Sequence, residues 1–178
     1  MGEAFFAAGL RFSCRRCSSC CRGAPGYVFL TASDLSRLLQ RFSLGFSAFF
    51  RDYCVLVDTG IGNALSLAEK KGKNGSYDCA LWENGCSVYE DRPIQCSTYP
   101  FWPAILDSRE TWLAERKSCP GIDMGETRDK VYIEGMLSAR RAERTILLKY
   151  EIDPETVDAA TILGREGLDT DPLNAGEA

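Results

Sequence analysis

Apolar residues recur at helical spacing in the middle of the chain and again in its last third. Leu35, Leu38, Leu39 and Phe42 fall on one helical face. Thr31 and Asp34 form an acidic capping box, T-x-x-D, at its start. The pattern therefore predicts a helix opening at Thr31. After Gly45, Ser47 is placed to cap a second short helix with Phe49, Phe50, Tyr53 and Cys54 on its apolar side. Tyr132, Met136, Ala139, Ala142, Ile146 and Tyr150 predict a longer amphipathic helix, with Arg140, Arg141 and Arg144 on the opposite side. A last short helix is expected from Pro154.

Between the helices the pattern reads as short strands and turns. Residues 1–13 read as a strand or arm, and Tyr27–Leu30, Leu65–Leu67, Tyr77–Leu81 and Thr111–Lys117 as strands. Lys70–Ser76 is polar and rich in Gly, hence a loop, and Asn84-Gly85 is a hairpin turn signal. Tyr99–Pro103 carries two prolines, so it suits a rigid buried bend and not a helix interior. Residues 14–26 carry no apolar period and read as a loop wrapped on something. With no repeat and no linker, the expected fold is a small α+β domain over residues 1–164. Its metal-binding core is 12–121 and its C-terminal helical part 126–164. Residues 165–178 are expected to be a flexible tail.

Composition narrows the class. Of 178 residues, 45% are hydrophobic and 26% charged, as in an ordinary globular protein. The net charge of -4 supplies no basic field, so nucleic acid is not an expected partner. The apolar stretches are too short to span a bilayer. The first residues lack the basic start of an export signal, and the expectation is a cytoplasmic chain.

The cysteines change the picture most. The chain has nine cysteines and no histidine, so thiolates are its only soft metal ligands. Cys14, Cys17, Cys20 and Cys21 follow the spacing C-x2-C-x2-C-C, and C-x2-C is the spacing at which a tight turn points two sulfurs at one ion. Adjacent cysteines such as Cys20 and Cys21 rarely point the same way. They are expected to serve two neighbouring sites, or one of them to bridge. Cys79, Cys86, Cys96 and Cys119 also fall in or near turns. These eight are the candidate ligands, enough for two four-cysteine sites or one polynuclear cluster. Cys54, beside Phe50 and Tyr53, reads as a buried core thiol. In a reducing compartment, cysteines this dense point to metal and not to disulfides. Zinc and iron both fit. C-x2-C-x2-C also opens the ferredoxin run, whose last cysteine precedes proline as Cys119 precedes Pro120. Arg15, Arg16, Arg22 and Arg92 sit beside the cysteines and can balance thiolate charge.

These pieces resemble the YkgJ-type cysteine-cluster family, whose domain is named for the pattern CxxCxxCC and for zinc or iron chelation. The matching segments are CRRCSSCC at 14–21, FLTASDLSRLLQRF at 29–42, CALWENGCSVYEDRPIQCSTYPF at 79–101 and CPG at 119–121. Arg92, Pro93 and Cys96, as R-P-x-x-C, are the most telling part after the first cluster. The chain departs from the pattern at Arg22-Gly23 after Cys21 and in the extra Cys54. The resemblance implies metal chelation by the shared cysteines and no assigned reaction.

The expected function is thus a metal-binding protein with an all-cysteine site or pair of sites that organises the fold. One alternative is an iron–sulfur redox protein or accessory enzyme. Against it, the chain has no nucleotide fingerprint and no demonstrable catalytic site. A second alternative is a zinc-stabilised module for RNA or protein, drawn from the local patch of Arg11, Arg15, Arg16 and Arg22. The acidic balance of the whole chain argues against that reading.

Overall fold

A computed structural model describes residues 4–72, 75–142 and 144–164. After an N-terminal turn comes β1 (Leu10–Phe12). The cysteine-rich segment that follows is irregular apart from a 3-10 turn at Ser19–Cys21, which leads into β2 (Arg22–Gly23). Next are α1 (Ala32–Phe42), α2 (Phe46–Tyr53), β3 (Cys54–Asp58), β4 (Asn63–Leu67), β5 (Glu69–Lys71) and β6 (Tyr77–Cys79). The second half holds α3 (Ile94–Thr98), α4 (Arg109–Ala114), β7 (Ile122–Arg128), α5 (Lys130–Ala142), β8 (Leu147–Leu148) and α6 (Ala159–Leu163). The strands form three small antiparallel sheets, ordered β1-β7, β2-β6-β5 and β3-β4-β8. The architecture is α+β, as the sequence predicts. Among the described residues no helix is long and apolar enough to cross a membrane.

The buried apolar side chains fall into two clusters. The first joins Leu35, Leu38 and Leu39 of α1 to Phe46 and Phe49 of α2, Leu65 and Leu67 of β4, and Ile162 of α6. The second gathers Phe6, Leu10 and Phe12 of the N-terminal arm with Phe101, Trp112, Ile122 and Ile133. Each fully buried Leu or Phe stabilises its cluster by about 1.5–3 kcal/mol.

The capping box at the start of α1 forms as expected. The Thr31 hydroxyl accepts from the Asp34 N–H at 3.1 Å, and the Asp34 carboxylate accepts from the Thr31 N–H at 3.1 Å. Such a cap contributes about 1 kcal/mol. The α1 face of Leu35, Leu38 and Leu39 is buried, and Phe42 packs against the same core.

Several elements differ from the pattern. Thr111–Lys117 is not a strand: α4 covers 109–114 and a 3-10 turn covers Glu115–Lys117. The reason is a second capping box, in which the Ser108 hydroxyl accepts from the Thr111 N–H at 3.2 Å and the Thr111 hydroxyl accepts from the Ser108 N–H at 3.0 Å. The long C-terminal helix stops at Ala142; Leu147 and Leu148 pair with β4 as a strand. Its buried face is Ile133, with Met136 and Leu137 half-buried, whereas Tyr132 is exposed. Hydrogen bonds from Ile146 to Leu30 and from Leu65 to Ile146 pull that segment out of helical form. Ser47 does not cap α2; Gly45 takes the N-cap position. Cys54 lies just past α2, at the start of β3. Part of the expected Lys70–Ser76 loop belongs to β5, Tyr27–Leu30 runs beside β4 with an isolated bridge from Phe29 to Ser66 and backbone hydrogen bonds from Leu30 to Leu65 and from Leu67 to Val28, and the final helix begins at Ala159 behind an Asp158 cap. The expected tail at 165–178 lies outside the described residues.

Candidate metal centre

Two of the sheets deliver cysteines. In the first, β1 pairs with β7 so that Phe12 faces Ile122. Cys14 lies just beyond one strand and Cys119 just before the other, so both emerge at the same end of the ribbon. The Ser13 N–H donates to the Gly121 carbonyl, 3.3 Å away, and binds the two segments together. Gly121 is required for this close approach, because a Cβ there would run into the Ser13 carbonyl oxygen.

In the second sheet, β2 pairs with β6 so that Arg22 faces Asp78 and Gly23 faces Tyr77. Cys21 lies just before β2 and Cys79 ends β6, so both come to the same end of this pair. Cys86 returns beside them through an isolated bridge between Trp82 and Cys86. Cys96 comes from α3, which is pinned to the first core. There the Asp34 carboxylate accepts from the Ile94 N–H at 2.9 Å, and the Gln95 side chain accepts from the Phe29 N–H at 3.1 Å.

These segments enclose a cavity of about 410 Å³ lined by Cys14, Cys17, Cys20, Cys21, Cys79, Cys86, Cys96 and Cys119. All eight candidate ligands thus face one space. Cys54 does not line it; it is buried in the first hydrophobic cluster. The cavity sits where the two clusters meet, with Leu67, Leu81 and Val88 of the first and Phe12 and Phe101 of the second in its wall. All nine cysteines are free thiols. Among the described residues no group of three or more Cys, Asp and Glu side chains already stands in metal-ligating geometry.

Cys20 and Cys21 do point the same way, contrary to the expectation for adjacent cysteines. Their sulfurs are 3.6 Å apart. Left-handed conformations at Arg16 (φ 50°) and Ser18 (φ 65°) fold the loop back, and the 3-10 turn then puts both thiols on the cavity side.

The sulfurs influence one another. Cys20 and Cys21 hydrogen-bond at 3.6 Å, and interaction with the Cys21 thiol holds Cys20 down to about 7 and Cys86 down to about 6. The Arg92 guanidinium adds a weaker pull in the same direction on both. Cys21, sharing its proton between them, is pushed up. Burial raises Cys79, Cys96 and Cys119. Burial pushes Cys54 to about 12, which suits an inert core thiol.

Of the cations expected near the cysteines, Arg15, Arg16 and Arg92 line the cavity. Arg22 is turned away: its Nε donates to Asp78 at 2.9 Å and its guanidinium lies 4.1 Å from the Trp82 ring. Arg92 is not a surface ion pair of the ordinary kind. It stacks 3.7 Å from the Tyr89 ring, and its buried Nε has no hydrogen-bond partner. Arg128, which the pattern did not single out, also lines the cavity with a buried, unpartnered Nε. Interaction with the Cys14 thiol raises the Tyr89 phenol. Arg128 reaches the cavity only because β7 pairs with β1, and no local signal announces that. Tyr89, midway between Cys86 and Arg92, is nearer to being legible.

This donor set fits a thiolate-bound metal. Eight sulfurs in one space supply soft anionic ligands, and two buried guanidinium donors without acceptors suit the charge that metal-bound thiolates carry.

A family model described as CxxCxxCC, "Putative zinc- or iron-chelating domain", matches residues 13–120, well over half of the chain. The chain belongs to that family. No solved structure matches it.

Proposed function

We propose that this member of the CxxCxxCC family chelates zinc or iron through Cys14, Cys17, Cys20, Cys21, Cys79, Cys86, Cys96 and Cys119, and that the metal fastens the two hydrophobic clusters together. The observation that carries this reading is the cavity. Eight thiols drawn from far apart in sequence line it, while the ninth stays in the core. Chance burial of hydrophobic thiols would not sort them this way.

The role is structural or cluster-holding. Filling a tetrahedral ion with four thiolates leaves no open position for a water or substrate, as a catalytic zinc would need. Binding would couple to folding, because the ligands converge only in the folded chain. Free thiols in this number suit a reducing, cytoplasmic setting. Metal ions are the partners this site recognises; neither membrane nor nucleic acid is part of the reading.

The test is elemental analysis with an absorption spectrum on protein purified without oxygen. Zinc gives a colourless protein. Iron gives visible absorption, and acid-labile sulfide together with it assigns an iron–sulfur cluster. Chelation of the bound metal should lower the melting temperature. Protein made in medium containing both metals and found to hold neither would reject the reading.

A further inference from the structure

We propose that residues 14–18 form a strap across the mouth of the cavity, and that Tyr89 is the positioning residue that holds it shut and sets the rate at which metal enters and leaves. The proposal rests on the metal-binding reading above and gives that site its entrance.

The strap is the exposed and thinly held wall of the cavity. Cys14, Cys17 and Cys20 are exposed, whereas Cys79, Cys86 and Cys96 are half-buried and Cys119 is buried. An ion arriving from water therefore meets the strap side first. The two ends are fixed, one by the Ser13–Gly121 hydrogen bond and the other by the pairing of β2 with β6. Between them, among the described residues, no backbone hydrogen bond joins 14–17 to the rest of the chain. Arg16 and Ser18 nevertheless hold left-handed conformations, at φ 50° and φ 65°, which residues other than glycine rarely adopt. Such a bend persists only where surrounding contacts impose it.

Arg16 supplies the contact. Its guanidinium carbon lies 3.9 Å from the centroid of the Tyr89 ring, and that of Arg92 lies 3.7 Å from the same centroid. Two guanidinium groups this near one centroid would overlap on a single face, so the ring is clamped between them. Arg16 also pairs with Glu90 at 3.6 Å, but both side chains are largely exposed and the pair adds little.

The two jaws of the clamp belong to different halves of the fold. The strap leaves β1, whose Phe12 is buried in the second cluster. Tyr89 opens a 3-10 turn, Tyr89–Asp91, directly after Val88 of the first cluster. That turn is tied to α1: Arg41 pairs with Asp91 at 3.7 Å, and the Arg37 guanidinium donates to the Arg92 carbonyl at 3.3 Å. Arg92 is thus the fixed jaw and Arg16 the moving one. All three side chains line the cavity, so parting Arg16 from the ring frees the strap, with Cys14 and Cys17, to swing away from the opening. Neither the ring nor either guanidinium is a metal ligand. The clamp therefore acts on the rate of exchange and leaves the ligand set alone.

The experiment follows transfer of zinc(II) from the loaded full chain to excess 4-(2-pyridylazo)resorcinol under reducing conditions. Alongside it, a pulse of N-ethylmaleimide shorter than zinc release is read thiol by thiol by mass spectrometry. Tyr89→Ala loses both cation–π contacts and should release zinc about tenfold faster than wild type. In the pulse its Cys14 and Cys17 should label faster, while the core thiol Cys54 stays unlabelled. Tyr89→Phe keeps the ring and should release zinc within about twofold of wild type. Arg16→Gln should also speed release, and combining it with Tyr89→Ala should add nothing further. Wild-type release in Tyr89→Ala, equal acceleration in Tyr89→Phe, or a double variant faster than Tyr89→Ala overturns the proposal. So does labelling of Cys54, which would show general loosening. Should Tyr89→Ala not fold, Arg16→Gln decides, because Arg16 is exposed; release at the wild-type rate then overturns the strap. A wild-type chain that binds neither zinc(II) nor iron(II) overturns the metal-binding reading itself. With a chain that binds iron(II) alone, the same comparison is made with bathophenanthroline disulfonate and judged by the same outcomes.

Discussion

The Asp34 carboxylate accepts a hydrogen bond of 2.9 Å from the backbone N–H of Ile94, sixty residues further along the chain. The same side chain closes the capping box of α1 and pairs with Arg37 at 2.6 Å, and it is fully buried. One carboxylate therefore starts a helix, holds a salt bridge and fixes the segment that carries Cys96.

Replacing Asp34 by Ala removes the cap and leaves the Ile94 N–H without its acceptor. The cap costs about 1 kcal/mol and the orphaned donor about 1–3 kcal/mol. Arg37 is partly exposed and returns to water, so its pair adds little. The expected loss is roughly 2–4 kcal/mol by denaturant unfolding, with weaker metal retention. An unchanged midpoint would show that the carboxylate holds nothing together.

Cys54 should behave unlike the other eight. Burial lifts its thiol from 9.0 to about 12, so the folded state favours the neutral form. The stability tied to that proton is present below pH 9 and is lost as pH rises toward 12. Alkylation followed by mass spectrometry should therefore leave Cys54 unmodified in the native protein at pH 8. Cys54→Ala should bind the full complement of metal; a drop in metal content would make Cys54 a ligand after all.

Arg92 helps to hold Cys20 and Cys86 in the thiolate form. Removing the cation in Arg92→Gln should raise both thiols and shift metal uptake to higher pH, by up to about one unit. The sign follows from competition, since protons and metal contend for the same sulfur. Arg92→Lys should recover part of the shift. The check is metal binding as a function of pH, and an uptake curve that does not move argues against the charge role.

Trp112 anchors the second cluster. It is fully buried and stacks on Phe101 at 5.8 Å between ring centroids. Trp112→Ala should cost about 3–5 kcal/mol and loosen the segment that carries Cys119. Near-ultraviolet circular dichroism and thermal melting report this directly. A variant that melts like wild type would mean that the second cluster does not support the fold.

The parts legible in the sequence are those fixed by neighbours. α1 was readable because Thr31 and Asp34 lie three residues apart and the apolar face repeats within eleven residues. Thr111–Lys117 misled because Ser108, its true start signal, lies outside the stretch and its box partner is Thr and not the usual Glu or Gln. The C-terminal stretch kept a helical period through Tyr150, yet Ile146 and Leu147 bond to Leu30 and Ala64 instead. Pairing with a distant strand overrode the local preference, which is the ordinary limit of pattern reading.

By itself the sequence determined the ligand chemistry: nine thiols, no histidine, eight of them in turn-like surroundings and one among apolar residues. Residue type and local spacing are enough for that. Only the tertiary structure decided that those eight face one cavity between two hydrophobic clusters, Cys14, Cys119 and Cys79 brought there by separate sheets and Cys96 by a helix. The reason is physical. Which sulfur meets which depends on strand register between residues such as Phe12 and Ile122. Register is set by long-range hydrogen bonds and packing that no local pattern encodes.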